Sequence, residues 1–482
     1  MKLDKNKEPM FSSFLWRYME RMLAQIVSFL VSIVLARILL PKEYGVVALV
    51  LIFISLANVL VSSGFGDALI QKKNVEDLDY STLFYCSLAL SIVLYCLIYI
   101  CSPFLSVVLG ETILVPVIRV MALKIPLSSV ATIQHAYVSK HMLFRKFFFA
   151  TLIGTVISGI VGIILAYSGY GVWALVYQYL LNSVIDVIVL LAILEWKPRL
   201  IFSFVVAKSL IGNAVKYTLS SLVNNAYGQI YNFFIGKLYS VEQLAYYNRG
   251  NQFPALVVSN VDIAFANVMF PTLSNVNDSD REMKRLCRNA LKISAYCIFP
   301  LILGMFVVSS DLIRVLLTDK WIEAVYYLRI GCCVNIFQPI QTINWQILKA
   351  KGKSGLCLKL EIVKKLIGMS TLVISIPYGV KIIALSCLIN TMISTYINMI
   401  FGSKMIGYSV MEQLKDVSKT FLCSVLMGAI VFLLGEIEIP AVFSLLLQVI
   451  AGVVVYIAFS IWSKNDSFFM ILKRLKQLVR GT

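Results

Sequence analysis

About fourteen apolar stretches, each long enough to cross a bilayer, follow one another from residues 12–36 to 441–462. No other feature limits the fold so tightly. In hydrocarbon every backbone N–H and C=O must be satisfied within the protein, and runs of about 20 apolar residues do that as helices. With 59% hydrophobic and only 14% charged residues in 482, no water-soluble core could hide the apolar surface. The expected fold class is an all-α membrane protein of about 14 transmembrane helices. The spans at 12–36, 210–235 and 253–274 are the most polar. The first reads as a span, not a cleavable leader, because Arg17, Glu20 and Arg21 interrupt it and no small-residue cleavage site follows.

Lys and Arg favour alternate connections. With the N-terminus cytoplasmic, the outer connections hold only Lys42, Lys237, Arg314, Lys320 and Lys381, which predicts an even helix count and both termini inside. The same asymmetry explains most of the net charge of +18 without a nucleic-acid partner. Ten cysteines lie mostly within apolar spans with no CxxC pair, and read as small buried hydrophobes. His135 and His141 complete no metal site with them.

Every outer connection is short, which leaves a membrane enzyme no outer domain in which to build an active site. Residues 195–209, with Trp196, Pro198 and three basic residues, read as a cytoplasmic linker between two halves. The halves resemble copies: Arg37 matches Lys237, Phe65 matches Phe265, and Tyr170-Gly171-Val172 matches Tyr378-Gly379-Val380. Equal orientation of six-helix copies requires an axis along the membrane normal. The expected organisation is an N-lobe at 1–194, the linker, a C-lobe at 210–403, two further helices at 404–462 and a cytoplasmic amphipathic tail at 463–482. Trp196, Trp321 and Trp462, at predicted boundaries, read as interface anchors.

Polar side chains recur at helical spacing. The first span carries Arg17, Arg21, Gln25, Ser28 and Ser32, and the seventh Lys216, Ser221, Asn225, Gln229 and Asn232. The second offers Ser55, Asn58 and Ser62, and the tenth Asn335, Gln338 and Thr342. Single groups of this kind usually bond neighbouring helices, whereas four such faces predict a hydrated cavity. Arg17, Arg21, Arg119, Lys124, Lys216 and Arg329 lie at membrane depth, with Arg37 and Arg249 near the outer mouth. Glu361 can neutralise Lys364 or Lys365 one turn along, and Lys292, Lys364 and Lys365 are otherwise expected to snorkel. Lys124 is mid-span with no acid near it in sequence. Carboxylates in the spans are fewer, and Asp186 and Asp262 are the candidates for binding a coupling H+ or Na+. An excess of cations favours an anionic cargo, since guanidinium and ammonium groups match phosphate oxygens.

Leu35-Ala36-Arg37-Ile38-Leu39-Leu40-Pro41-Lys42-Glu43-Tyr44-Gly45, followed by Gly64-Phe65 and Ala68-Leu69-Ile70-Gln71, resembles the N-terminal signature of Wzx-type lipid-linked oligosaccharide flippases. Tyr246-Tyr247-Asn248-Arg249-Gly250, Lys320-Trp321, Leu328-Arg329 and Gly352-Lys353-Ser354 are similar to the colanic-acid and teichuronic-acid exporter subgroup. The resemblance implies two six-helix lobes of the multidrug/oligosaccharidyl-lipid/polysaccharide exporter superfamily, in a bacterial inner membrane. It implies an undecaprenyl-diphosphate-linked oligosaccharide moved outward by alternating access, with membrane lipids, a polysaccharide polymerase and glycosyltransferases as partners. On this reading Arg17, Arg21 and Lys216 capture the diphosphate, Lys124 serves mid-path, and Arg37, Arg249 and Arg329 stand near the exit, with Gln25 and Asn225 facing sugars. The rival readings are a drug or organic-cation antiporter on the same fold, which would need unpaired carboxylates, and a membrane glycosyltransferase.

Overall fold

The computed structural model describes residues 10–72, 74–437 and 439–479; the side chains of 10–22, 67, 71, 210–214, 216, 217 and 474–479 lie outside that description. The described residues form nineteen α-helices. The chain divides between Ala245 and Tyr246 into two compact units. The first contains α1 (Met10–Ile38), α2 (Pro41–Ser62), α3 (Phe65–Gln71), α4 (Asp77–Leu109), α5 (Leu114–Met121), α6 (Lys124–His141), α7 (Phe144–Tyr167), α8 (Val172–Ile193) and α9 (Phe204–Leu238). Helix α10 (Val241–Asn275) begins in the first unit and continues into the second. The second unit adds α11 (Asp280–Val307), α12 (Ser309–Leu317), α13 (Ala324–Asn335), α14 (Gln338–Ala350), α15 (Ser354–Ser375), α16 (Val380–Ile406), α17 (Val410–Gly435), α18 (Ala441–Trp462) and α19 (Asp466–Val479).

Ten helical segments among the described residues are long and apolar enough to cross a membrane, counting α5 with α6 as one. Of the other expected spans, α15 carries Lys359, Glu361, Lys364 and Lys365, and the span at 324–347 is divided between α13 and α14. Its counterpart at 113–135 is divided between α5 and α6. Pro126 explains that division. It has no N–H for the Ala122 carbonyl, which instead accepts from Ile125 at 2.9 Å and tightens the turn. Pro339, second in α14, occupies the matching place.

The repeat shows in the backbone. Left-handed residues Gly110, Met142 and Gly171 follow α4, follow α6 and precede α8, and Thr318, Gly352 and Gly379 recur after α12, after α14 and before α16. In the first unit α7 packs on both α1 and α8, and α6 lies against α2, α4 and α8. Helix α9 packs on α2, α3 and α4, and so belongs to this unit. In the second unit α17 packs on α11 and α18, so the last two long helices are part of its core.

Two expectations about the boundaries need correction. Trp196 is buried among Tyr80, Phe84 and Tyr137, clamping the linker onto α4, while Trp321 is wholly buried; only Trp462 is exposed as an anchor would be. Position near a span end does not reveal which face a ring occupies. Lys292 forms ion pairs within the second unit. It sits 3.0 Å from Asp466 and 3.5 Å from Asp416, tying α19 to α11 and α17. That ammonium holds the Asp466 carboxyl below its ordinary range.

Gly45 marks the closest helix approach in the first unit. A Cβ there would lie 1.8 Å from the Val241 carbonyl oxygen. Gly45→Ala is expected to cost about 1–3 kcal/mol, because backbone must shift. Thermal unfolding of the purified protein checks this, and an unchanged midpoint would contradict such close packing.

Candidate functional site

In the first unit, α2, α6 and α8 line a half-open cavity of about 340 Å³. Helix α6 lines it with Lys124, Ser128, Thr132 and His135, spaced so that all four share one face. Helix α8 contributes Asn182, Ser183 and Asp186, and α2 contributes Asn58 and Ser62. His135 Nε2 lies 3.2 Å from Asp186 Oδ2, with the imidazole edge on the Phe147 ring at 4.8 Å. The other Asp186 oxygen, Oδ1, is buried without a hydrogen-bond partner among the described residues, and so is Asn58 Oδ1. Lys124 stands at the start of α6 over the Tyr179 ring, 5.2 Å from its centroid. Among the described residues no carboxylate is within ion-pair distance of it. The cavity thus combines one ammonium, one imidazole–carboxylate pair and a wall of hydroxyls and amides. Such groups can bind or pass protons and small polar species.

The other candidate carboxylate is placed differently. Asp262 on α10 accepts from Gln338 Nε2 at 3.1 Å and, through its other oxygen, from the Thr342 hydroxyl. Both oxygens are satisfied, so Gln338 and Thr342 of the expected polar face of the tenth span serve Asp262, while Asn335 donates to the Gly331 carbonyl at 2.8 Å. The second-span face is shared out: Ser55 donates to Asn225 Oδ1 of α9 at 3.3 Å, while Asn58 and Ser62 turn to the cavity.

Arg119 and Arg329 occupy matching positions. Arg119 Nε donates to Ser102 at 3.0 Å with its guanidinium 4.3 Å over Tyr99. Arg329 donates to Ser309 at 2.7 Å and Ser310 at 3.3 Å, and lies over Phe306. Neither forms an ion pair among the described residues. Arg249 is 6% exposed, donates to Gln252 at 2.7 Å and overlies Trp321. Gly250 beside it lets α13 approach so closely that a Cβ would lie 2.7 Å from Leu328 N. These sequence motifs therefore meet as a packed joint between α10 and α13. Arg37 is exposed in the last turn of α1, where a cation complements the carbonyl end. Gln25 Oε1 is buried without a partner among the described residues. The side chains of Arg17, Arg21 and Lys216 lie outside the described residues.

Ser128, Thr132, His135 and Asn182 were not among the expected site residues. The spacing of Lys124, Ser128, Thr132 and His135 was a readable signal, masked by weighing His135 only as a metal ligand.

A model of the polysaccharide biosynthesis protein family matches residues 34–326. The succinoglycan biosynthesis transport protein ExoT of Rhizobium meliloti (strain 1021) is 23% identical over 60% of this chain, and the match spans 59% of that protein, under two thirds of its length. The teichuronic acid biosynthesis protein TuaB of Bacillus subtilis (strain 168) is 23% identical over 83% of this chain and 84% of its own. Among solved structures, the lipid II flippase MurJ in an inward closed conformation matches with a TM-score of 0.75 at 16% identity, covering 94% of this chain and 99% of that one. At that identity the likeness establishes a shared all-helical fold.

Proposed function

Because the chain belongs to the polysaccharide biosynthesis protein family, we propose that it is a flippase carrying undecaprenyl-diphosphate-linked oligosaccharide from the inner to the outer leaflet, and not an enzyme. The observation that carries this reading is the family match on a fold shared with a protein that flips a lipid. Relatives named for succinoglycan transport and teichuronic acid biosynthesis support a surface polysaccharide as the end use. The chain is a multi-pass membrane protein; its bacterial relatives support the bacterial inner membrane, and the lysine and arginine asymmetry favours both termini cytoplasmic.

Lys124, Arg119 and Arg329 favour an anionic cargo, since a cation at membrane depth without a carboxylate is costly unless it meets one. Arg17, Arg21 and Lys216 are proposed to capture the diphosphate on the cytoplasmic side, with alternating access carrying it past Lys124. A drug or cation antiporter would use unpaired carboxylates, whereas Asp262 is bonded through both of its oxygens. A deletion strain is expected to lose surface polysaccharide, and Arg17→Ala with Arg21→Ala to fail to restore it while still inserting in the membrane. Intact polysaccharide with altered dye sensitivity in the deletion strain would instead establish the antiporter.

A further inference from the structure

We propose that the His135–Asp186 pair is the proton-binding site that couples this chain to a proton gradient, reached along the polar face of α6. The inference rests on the flippase reading and adds the driving ion.

Three observations select this carboxylate. Asp186 keeps one buried oxygen without a partner while its other oxygen meets a histidine, whereas Asp262 is already bonded through both of its own. Histidine is the side chain whose charge changes in the range where cells hold proton gradients. The approach is built from Ser128 and Thr132, hydroxyls that both donate and accept, on the same face as Lys124 and His135. A hydroxyl-lined cavity of this volume also has room for bridging water.

The ion is a proton rather than sodium. Lys124 is the one other charged group lining the cavity among the described residues. Its fixed positive charge raises the energy of a metal cation inside, while a proton can be handed between hydroxyls, water and imidazole. When the proton is bound, Nε2–H donates to Oδ2 and the pair is an imidazolium–carboxylate. When it leaves through the cavity, the imidazole is neutral and Asp186 carries an uncompensated charge facing Lys124 down the same cavity.

Charged groups on the surrounding elements turn elsewhere. On α4, Asp79 holds Lys72 at 2.6 Å, and on α5 Arg119 is bonded to Ser102. On α7, Lys146 lies 3.8 Å from Glu195, with Arg145 beside it in the first turn. Farther along α6, Lys140 donates to the Ile70 and Lys72 carbonyls, and His141 contacts the Tyr137 carbonyl. Helix α2 offers only amides and hydroxyls to the cavity, α8 adds the Tyr179 phenol, and the Asp67 side chain of α3 lies outside the described residues.

The test uses the full chain in proteoliposomes, with a polyprenyl diphosphate bearing a fluorescent sugar as probe. Movement is measured with no gradient, with a gradient of one pH unit, and with a sodium gradient. One coupled proton lets one pH unit bias movement by up to about tenfold. Wild type is expected to show that stimulation with a matching change in lumenal pH, and Asp186→Asn and His135→Gln to lose both. Equal rates with and without the pH gradient, or stimulation by sodium alone, would overturn the proton site and leave the flippase reading intact. Failure of wild type to move the probe in every arm would instead defeat the flippase reading. Histidine NMR then judges the site separately: the chain has only two histidines, so His141→Gln leaves one signal. A pH response of that signal that Asp186→Asn alters supports proton binding at the pair, and a response identical with and without Asp186 overturns it.

Discussion

Asp416→Ala is expected to destabilise the second unit by about 3 kcal/mol, at the lower end of the cost of breaking a buried ion pair. The Asp416 side chain is 3% exposed. It receives Arg288 at 2.6 and 2.7 Å and the Tyr408 hydroxyl at 2.8 Å, with Lys292 at 3.5 Å. Removing it leaves two cations and a buried phenol without their shared acceptor. Arg288 is 47% exposed and can recover water, which holds the cost below the upper limit. Arg288 and Lys292 are on α11 and Asp466 on α19, so the loss should also loosen the C-terminal helix. Denaturant unfolding in detergent, with protease cleavage at α19 as a second readout, measures both. A change within about 0.5 kcal/mol, the range of ordinary surface substitutions, would show that the network does not hold these helices together.

Lys124→Glu should reduce export by about 100-fold or more while leaving the chain in the membrane. A charge-assisted hydrogen bond contributes about 1.5–3 kcal/mol, and the new carboxylate adds repulsion toward both an anionic cargo and Asp186. Each 1.36 kcal/mol at the barrier is about tenfold in rate. Lys124→Arg keeps the charge and should stay within about tenfold of wild type. Surface polysaccharide measured against membrane protein level decides the matter, and near-normal export by the Glu variant would remove Lys124 from the path.

Much of the architecture was written in hydropathy and charge. The long apolar runs, the paired Tyr-Gly-Val starts of α8 and α16 and the basic amphipathic end each carry a local signal. Contacts across helices do not. His135 and Asp186 are on different helices, and nothing near either residue in sequence announces the other. Arg249 looked available for cargo because linear position hides the Trp321 ring beneath it. Averaging hydropathy over a whole span likewise blurs the divisions before Pro126 and Pro339, though the prolines themselves were visible. Lys364 was the easier case, since its partner Glu361 is one turn away and pairs with it at 2.9 Å.

The divided span ahead of Pro126 gives the first unit two levers where an unbroken rod would have been one. One piece, α5, is bolted to α4 through Arg119 and Ser102, whereas the piece beyond the joint carries the ionisable stripe. The stripe and the bolted end thus belong to separate rods joined by one tightened turn.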